Sequence, residues 1–180
     1  MKDRLLEQAK HAYSPRQRSL ALVALAPIFL LLLPWALIAL GARLDFWLQW
    51  PPLLYYPINL ILGLLLIVPG LLFAFWSNYA QYTLGRGTPV PLMATQNLVV
   101  QPPYTYCRNP MALGAIGMYL GVAILFGSPG AGLLVLLGAA ALLTYIKRVE
   151  EKEMELRFGQ DYLEYRRRTP FLLPRFWSRK

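Results

Sequence analysis

Long unbroken stretches of apolar residues set the strongest limit on what this chain can fold into. A helix needs about 20 apolar residues to cross the hydrocarbon core of a bilayer. Only helices and closed barrels satisfy every backbone polar group in that medium. Residues 20–41 form one such stretch and residues 57–79 another. Residues 111–126 and 131–149 form a third and a fourth, with Gly127-Ser128-Pro129-Gly130 as a tight turn between them. The expectation is an all-α integral membrane protein with four transmembrane helices, the last two a C-terminal helical hairpin, in a single membrane domain. The first stretch exceeds the roughly 7–15 residues of a signal-peptide core, so an uncleaved span is expected there. Composition agrees: 57% of residues are hydrophobic and 15% charged, against roughly 45–50% and about 25% in soluble domains.

The segments between the spans are distinctive. Residues 1–19 are polar and basic, and the spacing of Leu5, Leu6 and Ala9 predicts a short amphipathic helix at the membrane surface. Trp47, Trp50, Tyr55 and Tyr56 fit an aromatic belt in the first connection. Pro69-Gly70 predicts a kink in the second span. Glycines 114, 117, 121, 132 and 138 predict close helix approach. Residues 80–110 carry six Gly or Pro outside Pro110 and are too irregular for a span. Loops this long are usually functional or disordered, and the apolar Leu98-Val99-Val100 favours order. Residues 150–180 turn abruptly charged. They predict a helix continuing into water, with Leu156, Phe158, Tyr162 and Tyr165 as an apolar stripe and Thr169-Pro170 as its stop.

Charge orients the chain. Four spans put both termini and the 80–110 loop on one side, with 17 of the 18 Lys and Arg residues; Arg43 alone lies opposite. The positive-inside rule places that side in the cytoplasm. The net charge of +9 therefore reports orientation and contact with anionic membrane lipid. No basic helix with interleaved aromatics points to a nucleic-acid partner.

Counting excludes several chemistries. The single cysteine, Cys107, and the single histidine, His11, leave no intramolecular disulfide, no cysteine cluster for a metal, no histidine triad and no multi-histidine metal site. No metal is expected. What remains is a charge constellation. Arg108-Asn109 lies about 20 residues before the hairpin turn and Glu150-Glu151 about 20 after it, so each sits about 30 Å from the turn at 1.5 Å per residue. A cation and two carboxylates are brought to one membrane level. One reading is an interfacial salt bridge with snorkelling side chains, with Pro110 an ordinary first-turn proline. The other is a pocket for a zwitterion, with an acceptor for an ammonium and a donor for a carboxylate.

The two polar clusters read PPYTYCRNPMALG and EEKEMELRFGQDYLEYRRRTPFLLP. Together, at this separation, they resemble the signature of the isoprenylcysteine carboxyl methyltransferases and related small membrane methyltransferases, which include phospholipid N-methyltransferases. GRGTPVPLMATQNLVV is similar to the loop preceding the motif in bacterial-type members. The resemblance covers residues 84–174. It implies an S-adenosylmethionine-dependent methyltransferase, in a bacterial inner membrane, with a lipophilic acceptor entering from the bilayer. It implies that Tyr104, Asn109 and Pro110 line the cofactor pocket, that Gln96, Leu98 and Val99 approach the adenosine part, and that Glu150 accepts from the cofactor's ammonium. Arg108 and Glu151 would brace and position the pocket. Four positions depart from the family pattern. Asn109 stands for the histidine, Pro102 for the first glycine, Ala112 for a tyrosine and Met154 for a leucine. The family's prenylcysteine enzymes carry an arginine four residues before the first glutamate, and here that residue is Ile146. Asn109 cannot titrate near neutrality, so it is no general base. Membrane reductases using a nicotinamide cofactor share part of the C-terminal signature, and a non-enzymatic lipid-binding protein could keep the scaffold.

Overall fold

The computed structural model describes residues 13–88 and 95–174. Among the described residues every regular element is helical. Helix α1 is Pro15–Leu48, α2 is Ile58–Thr83, α3 is Pro110–Leu125 and α4 is Pro129–Arg168. Three of them, α1, α2 and α4, are long and apolar enough to cross a membrane. Helix α3 is apolar but has 16 residues, about 24 Å at 1.5 Å per residue, against roughly 30 Å of hydrocarbon. Large apolar side chains lie open: Leu20, Leu31, Leu65 and Leu72 are each more than 60% exposed. Apolar surface on this scale needs a non-aqueous neighbour, which is the lipid of an integral membrane protein.

One expectation about a helix end needs correction. Helix α1 starts at Pro15, inside the segment expected to be a separate surface helix. A capping box opens it: the Gln17 amide N–H donates to Ser14 Oγ (3.3 Å) and the Ser14 N–H to Gln17 Oε1 (2.9 Å). Leu5, Leu6, Ala9 and His11 lie outside the described residues. Helix α4 runs on from the hairpin to Arg168.

The chain divides into two compact units. One comprises Val23–Leu72 and Gly114–Leu143; the other draws on Met1–Leu22, Phe73–Leu113 and Thr144–Lys180. In the first unit small residues set the helix contacts. A Cβ on Gly121 would lie 2.8 Å from the Gly63 carbonyl oxygen and the Ile67 amide, and one on Gly70 would lie 2.7 Å from the Gly114 oxygen and the Met118 amide. Helices α2 and α3 are thus in backbone contact, as small residues permit in membranes. Gly121→Leu is expected to destabilise the fold by about 1–3 kcal/mol through overpacking. Thermal unfolding in detergent measures it. Gly117→Leu should leave the midpoint unchanged, because nothing lies within 4 Å of a Cβ there.

A π turn at Ile28–Leu32 interrupts α1. The Leu33 N–H bonds to the Ile28 carbonyl, five residues back in the π manner. The Phe29 carbonyl would be the next π acceptor, but Pro34 has no N–H to give it. Tyr119 of α3 supplies the missing donor, its hydroxyl lying 2.8 Å from the Phe29 oxygen. At the hairpin turn, Ser128 Oγ accepts from the Ala131 N–H (3.0 Å), the N-cap of α4 with Pro129 at its first position. Asp45 of α1 accepts from Ser128 Oγ (2.5 Å) and from the Gly130 N–H (2.6 Å), placing a carboxylate at a helix N-terminus.

Candidate active site

The other unit carries the polar clusters. Helix α2 ends when the Leu84 and Gly85 amides both turn back to the Ala80 carbonyl (2.9 and 3.3 Å). Residues 95–100 then dock on that end. The Gln96 and Asn97 amides donate to the Gly85 carbonyl (2.7 and 3.2 Å), and Asn97 Nδ2 donates to the Leu84 carbonyl (3.0 Å). Glycine is required at position 87, because a Cβ there would sit 2.5 Å from the Thr95 Cα. Arg18, at the start of α1, fastens the same helix end: its Nη1 donates to the Tyr82 carbonyl (2.8 Å) and its guanidinium covers the Tyr82 ring.

The motif segment 101–109 is knit by short turns, with Pro103, Cys107 and Pro110 fully buried. From the other side comes α4. A π turn at Ile146–Glu150 puts the Glu151 N–H on the Ile146 carbonyl, and Ile146, Glu150 and Glu151 all face one cavity. Turns of this kind recur at functional sites. Gly159 then breaks the helical path with φ of 55° and ψ of −125°, a conformation that glycine alone adopts without strain. The continuous apolar stripe expected on this helix is therefore broken: Leu156 is exposed, whereas Tyr162 and Tyr165 turn inward. They join Ala80, Val99 and Tyr104 in a buried cluster with Leu98, Met154 and Phe158 packed on it.

Residues 169–174 form a strap over the motif. The Arg108 amide donates to the Pro170 carbonyl (2.9 Å), Asn109 Nδ2 to the Phe171 carbonyl (2.9 Å), and the Tyr165 hydroxyl to the Tyr104 carbonyl (2.7 Å). The ring of Phe171 lies 5.7 Å from the Arg108 guanidinium carbon.

At the centre, Arg108 Nη2 lies 3.0 Å from Glu151 Oε1, with the two side chains only 11% and 12% exposed. Among the described residues Arg108 Nε and Nη1 are buried and have no hydrogen-bond partner. Among the described residues Glu150 has no cationic partner. Burial, and secondarily the Glu153 carboxylate, raises its pKa above the ordinary value. The cavity thus holds one neutral ion pair, two unused guanidinium donors and one unpaired carboxylate. Burial pushes the Cys107 thiol up to about 11, so it stays a protonated core side chain and not a nucleophile. Burial also lifts the Tyr162 phenol to about 12 and the Tyr104 and Tyr165 phenols further, which keeps all three neutral. Among the described residues no cluster of ligands for a metal ion is present.

Leu98, Val99, Tyr104, Arg108, Asn109, Glu150 and Glu151 line this cavity, and Gln96 and Pro110 do not. Pro110 is fully buried at the start of α3. Gln81, Thr95, Ile146, Met154, Tyr162 and Tyr165 also line it, and the sequence did not mark them for that role. Of these, Met154, Tyr162 and Tyr165 carried a signal, since they fall in the C-terminal motif.

An ammonium ligand needs the ionised form of Glu150. Because the pKa of that carboxyl is raised, protonation sets in at higher pH than for a free glutamate. Affinity for an ammonium ligand is expected to weaken as pH falls through the raised value. The measurement is the dissociation constant of S-adenosylhomocysteine across a pH series. Glu150→Gln should flatten the acid limb.

A cavity that offers an acceptor for an ammonium and donors for a carboxylate, at the end of membrane-type helices, defines a class of small-molecule site in an all-helical membrane protein. Residues 58–161 match the phospholipid methyltransferase family, and the chain belongs to that family. It is similar to the protein-S-isoprenylcysteine O-methyltransferase of Mus musculus, at 28% identity over 153 residues, covering 79% of this chain and 52% of the mouse protein. The corresponding Homo sapiens protein is 28% identical over 157 residues, covering 79% of this chain and 51% of its own. The Rattus norvegicus protein is 27% identical over 153 residues, with 79% and 51% covered. The chain spans about half the length of these relatives.

Proposed function

We propose that this chain is an integral membrane methyltransferase that uses S-adenosylmethionine and methylates a lipophilic acceptor entering from the bilayer. The observation that carries this reading is the unpaired Glu150 carboxylate in the same cavity as the unused Nε and Nη1 donors of Arg108. Arg108, Glu150 and Glu151 sum to one net negative charge. The cofactor, with its sulfonium, ammonium and carboxylate, sums to one net positive charge. The donor set therefore fits the group in sign and in kind. Glu150 would accept from the ammonium, and Arg108, held by Glu151, would donate to the carboxylate. Leu98, Val99 and Tyr104 would form the wall for the adenosine part, with Gln96 behind that wall. Asn109 contributes by tying the strap at Phe171, and Pro110 by starting α3 directly after the motif.

When bound, the cofactor supplies a methyl group already activated on sulfur for in-line displacement. The chain's own residues then have to position and dehydrate the reactants, which can supply most of the acceleration. The neutral tyrosines and the Asn109 amide do not exchange protons near neutrality, consistent with a reaction that needs no dedicated general base when the acceptor is a carboxylate. The distribution of Lys and Arg supports a cytoplasmic site, with both termini on that side of a bacterial inner membrane.

The acceptor on this reading is a prenylcysteine-type carboxylate or another lipophilic carboxylate, amine or thiol. A second reading, a phospholipid N-methyltransferase, is favoured by Ile146. That residue is buried, lines the cavity, and offers no cation to an acceptor carboxylate. Purified protein incubated with methyl-labelled cofactor and a total membrane lipid extract tests both. Label in an organic-extractable product supports methyl transfer; label that alkali releases as volatile methanol marks a methyl ester, and label that stays non-volatile after alkali marks an amine or thioether. No transfer by protein that binds the cofactor would remove the enzymatic reading.

A further inference from the structure

We infer that Arg157 is a positioning residue of this pocket, acting through the Thr95 carbonyl to hold the wall formed by residues 95–99 against α4. The inference rests on the cofactor reading above, and it assigns a residue that does not itself line the cavity.

Arg157 lies on the charged part of α4, where a cation would ordinarily reach into water. Arg166 and Arg168 do so, with side chains 37% and 77% exposed, but the Arg157 side chain is only 8% exposed. Burying a guanidinium is costly unless its donors are satisfied. Arg157 Nη1 lies 3.2 Å from Glu153 Oε1, one turn back on the same helix. Its Nη2 donates to the Thr95 carbonyl, 62 residues away in the chain. The guanidinium carbon also sits 5.1 Å from the centre of the Phe158 ring.

Of these three contacts, the one to Thr95 ties two distant segments together. Thr95 has little freedom on its opposite side, because Gly85 and Gly87 lie against it so closely that a Cβ on either would be within 3.0 Å of its atoms. Thr95 is thus gripped between the end of α2 and Arg157. Three and four residues later, Leu98 and Val99 form the cavity wall and pack into the tyrosine cluster. A planar fork can serve Glu153 and Thr95 at once in fixed geometry, which a lysine ammonium on a flexible stem cannot match. Without the fork, that wall loses its polar tie to α4 and keeps only its apolar packing on the tyrosine cluster, while Arg108, Glu150 and Glu151 keep their own contacts. The effect should fall on cofactor affinity and leave the transfer step intact.

The test compares wild type, Arg157→Ala, Arg157→Lys and the exposed control Arg168→Ala. Each is titrated with S-adenosylhomocysteine, and each is assayed for label transfer to the lipid extract at varied cofactor. The expected result for Arg157→Ala is a rise of about 10-fold or more in both Kd and the cofactor KM, the scale of one charge-assisted hydrogen bond. Its kcat should stay within about twofold of wild type, an uncoupling expected when only binding is lost. Arg157→Lys should fall between, and Arg168→Ala should match wild type. Unchanged Kd and KM in folded Arg157→Ala, or a fall in kcat with Kd unchanged, would overturn the inference. If Arg157→Ala does not fold, Arg157→Lys decides. Weaker binding at an unchanged unliganded melting temperature supports the role, and wild-type affinity overturns it. Failure of wild type to bind would instead sink the underlying cofactor reading.

Discussion

Arg108→Ala is expected to lower the stability of the unliganded protein by about 3 kcal/mol, because it strands the Glu151 carboxylate in a site built around an ion pair. Arg108 and Glu151 are each nearly nine-tenths buried and 3.0 Å apart, so solvent offers little compensation. In a chain of this length that loss corresponds to roughly 6–12 °C in the melting temperature. Binding of S-adenosylhomocysteine should be lost as well, since the Nε and Nη1 donors disappear with the side chain. The two effects can be separated. Replacing both partners with apolar side chains, Arg108→Met with Glu151→Leu, should recover most of the stability, as a buried pair exchanged for apolar groups often does. Binding should stay absent. Recovery of binding along with stability would show that the charges serve only the fold.

Glu150→Gln should also weaken binding, but with the opposite sign on stability. The substitution keeps the shape and removes the charge, so affinity for S-adenosylhomocysteine should fall by about 10–150-fold, the equivalent of roughly 1.5–3 kcal/mol for a hydrogen bond to a charged group. Stability of the unliganded protein should hold or rise. The sign follows from the raised carboxyl pKa of Glu150: the charged form is disfavoured by folding, so at neutral pH its removal relieves a cost. A residue whose loss destroys binding while sparing or improving the fold is retained for its ligand.

The meeting of Arg108 with the glutamate pair was legible in the sequence because it needs only arithmetic: two positions about 20 residues on either side of a tight turn reach one level. The apolar runs were legible because lipid tolerates no unsatisfied backbone. The lipid-exposed leucines and three long apolar helices bear out that reading at the level of an all-helical membrane protein. What the sequence withheld depends on which face of a helix meets a neighbour. Gly121 is at a close contact as expected, but Gly117 and Gly138 face open space and Gly132 has only Leu53 near 4 Å. The tightest approaches involve Gly41, Gly63, Gly70 and Gly130 as well. The π turns were hidden for another reason. That at Ile28–Leu32 follows from Pro34 together with a tyrosine 90 residues distant, a pairing no local pattern reports.

Within the site, Asn109 shows the same limit. Its amide serves the Phe171 carbonyl of the strap, a partner invisible until Gly159 turns the chain back toward the motif. Gln81, Thr95 and Ile146 entered the cavity from a span end, a loop and a span, none of which carries a chemical signature. Arg157 read as one more charge on a solvated helix, and only its burial and its bond to Thr95 set it apart.

The central claim is that this pocket recognises a zwitterionic amino-acid head group through Glu150 and Arg108. The most direct measurement is a calorimetric titration of the purified protein with S-adenosylhomocysteine and, in parallel, with 5′-methylthioadenosine, which keeps the adenosine and sulfur but lacks the amino-acid part. Saturable binding of S-adenosylhomocysteine is expected, with at least about 100-fold weaker binding of the truncated ligand, the loss of contacts to both charges. Equal affinity for the two ligands, or no binding of either by folded protein, would contradict that claim.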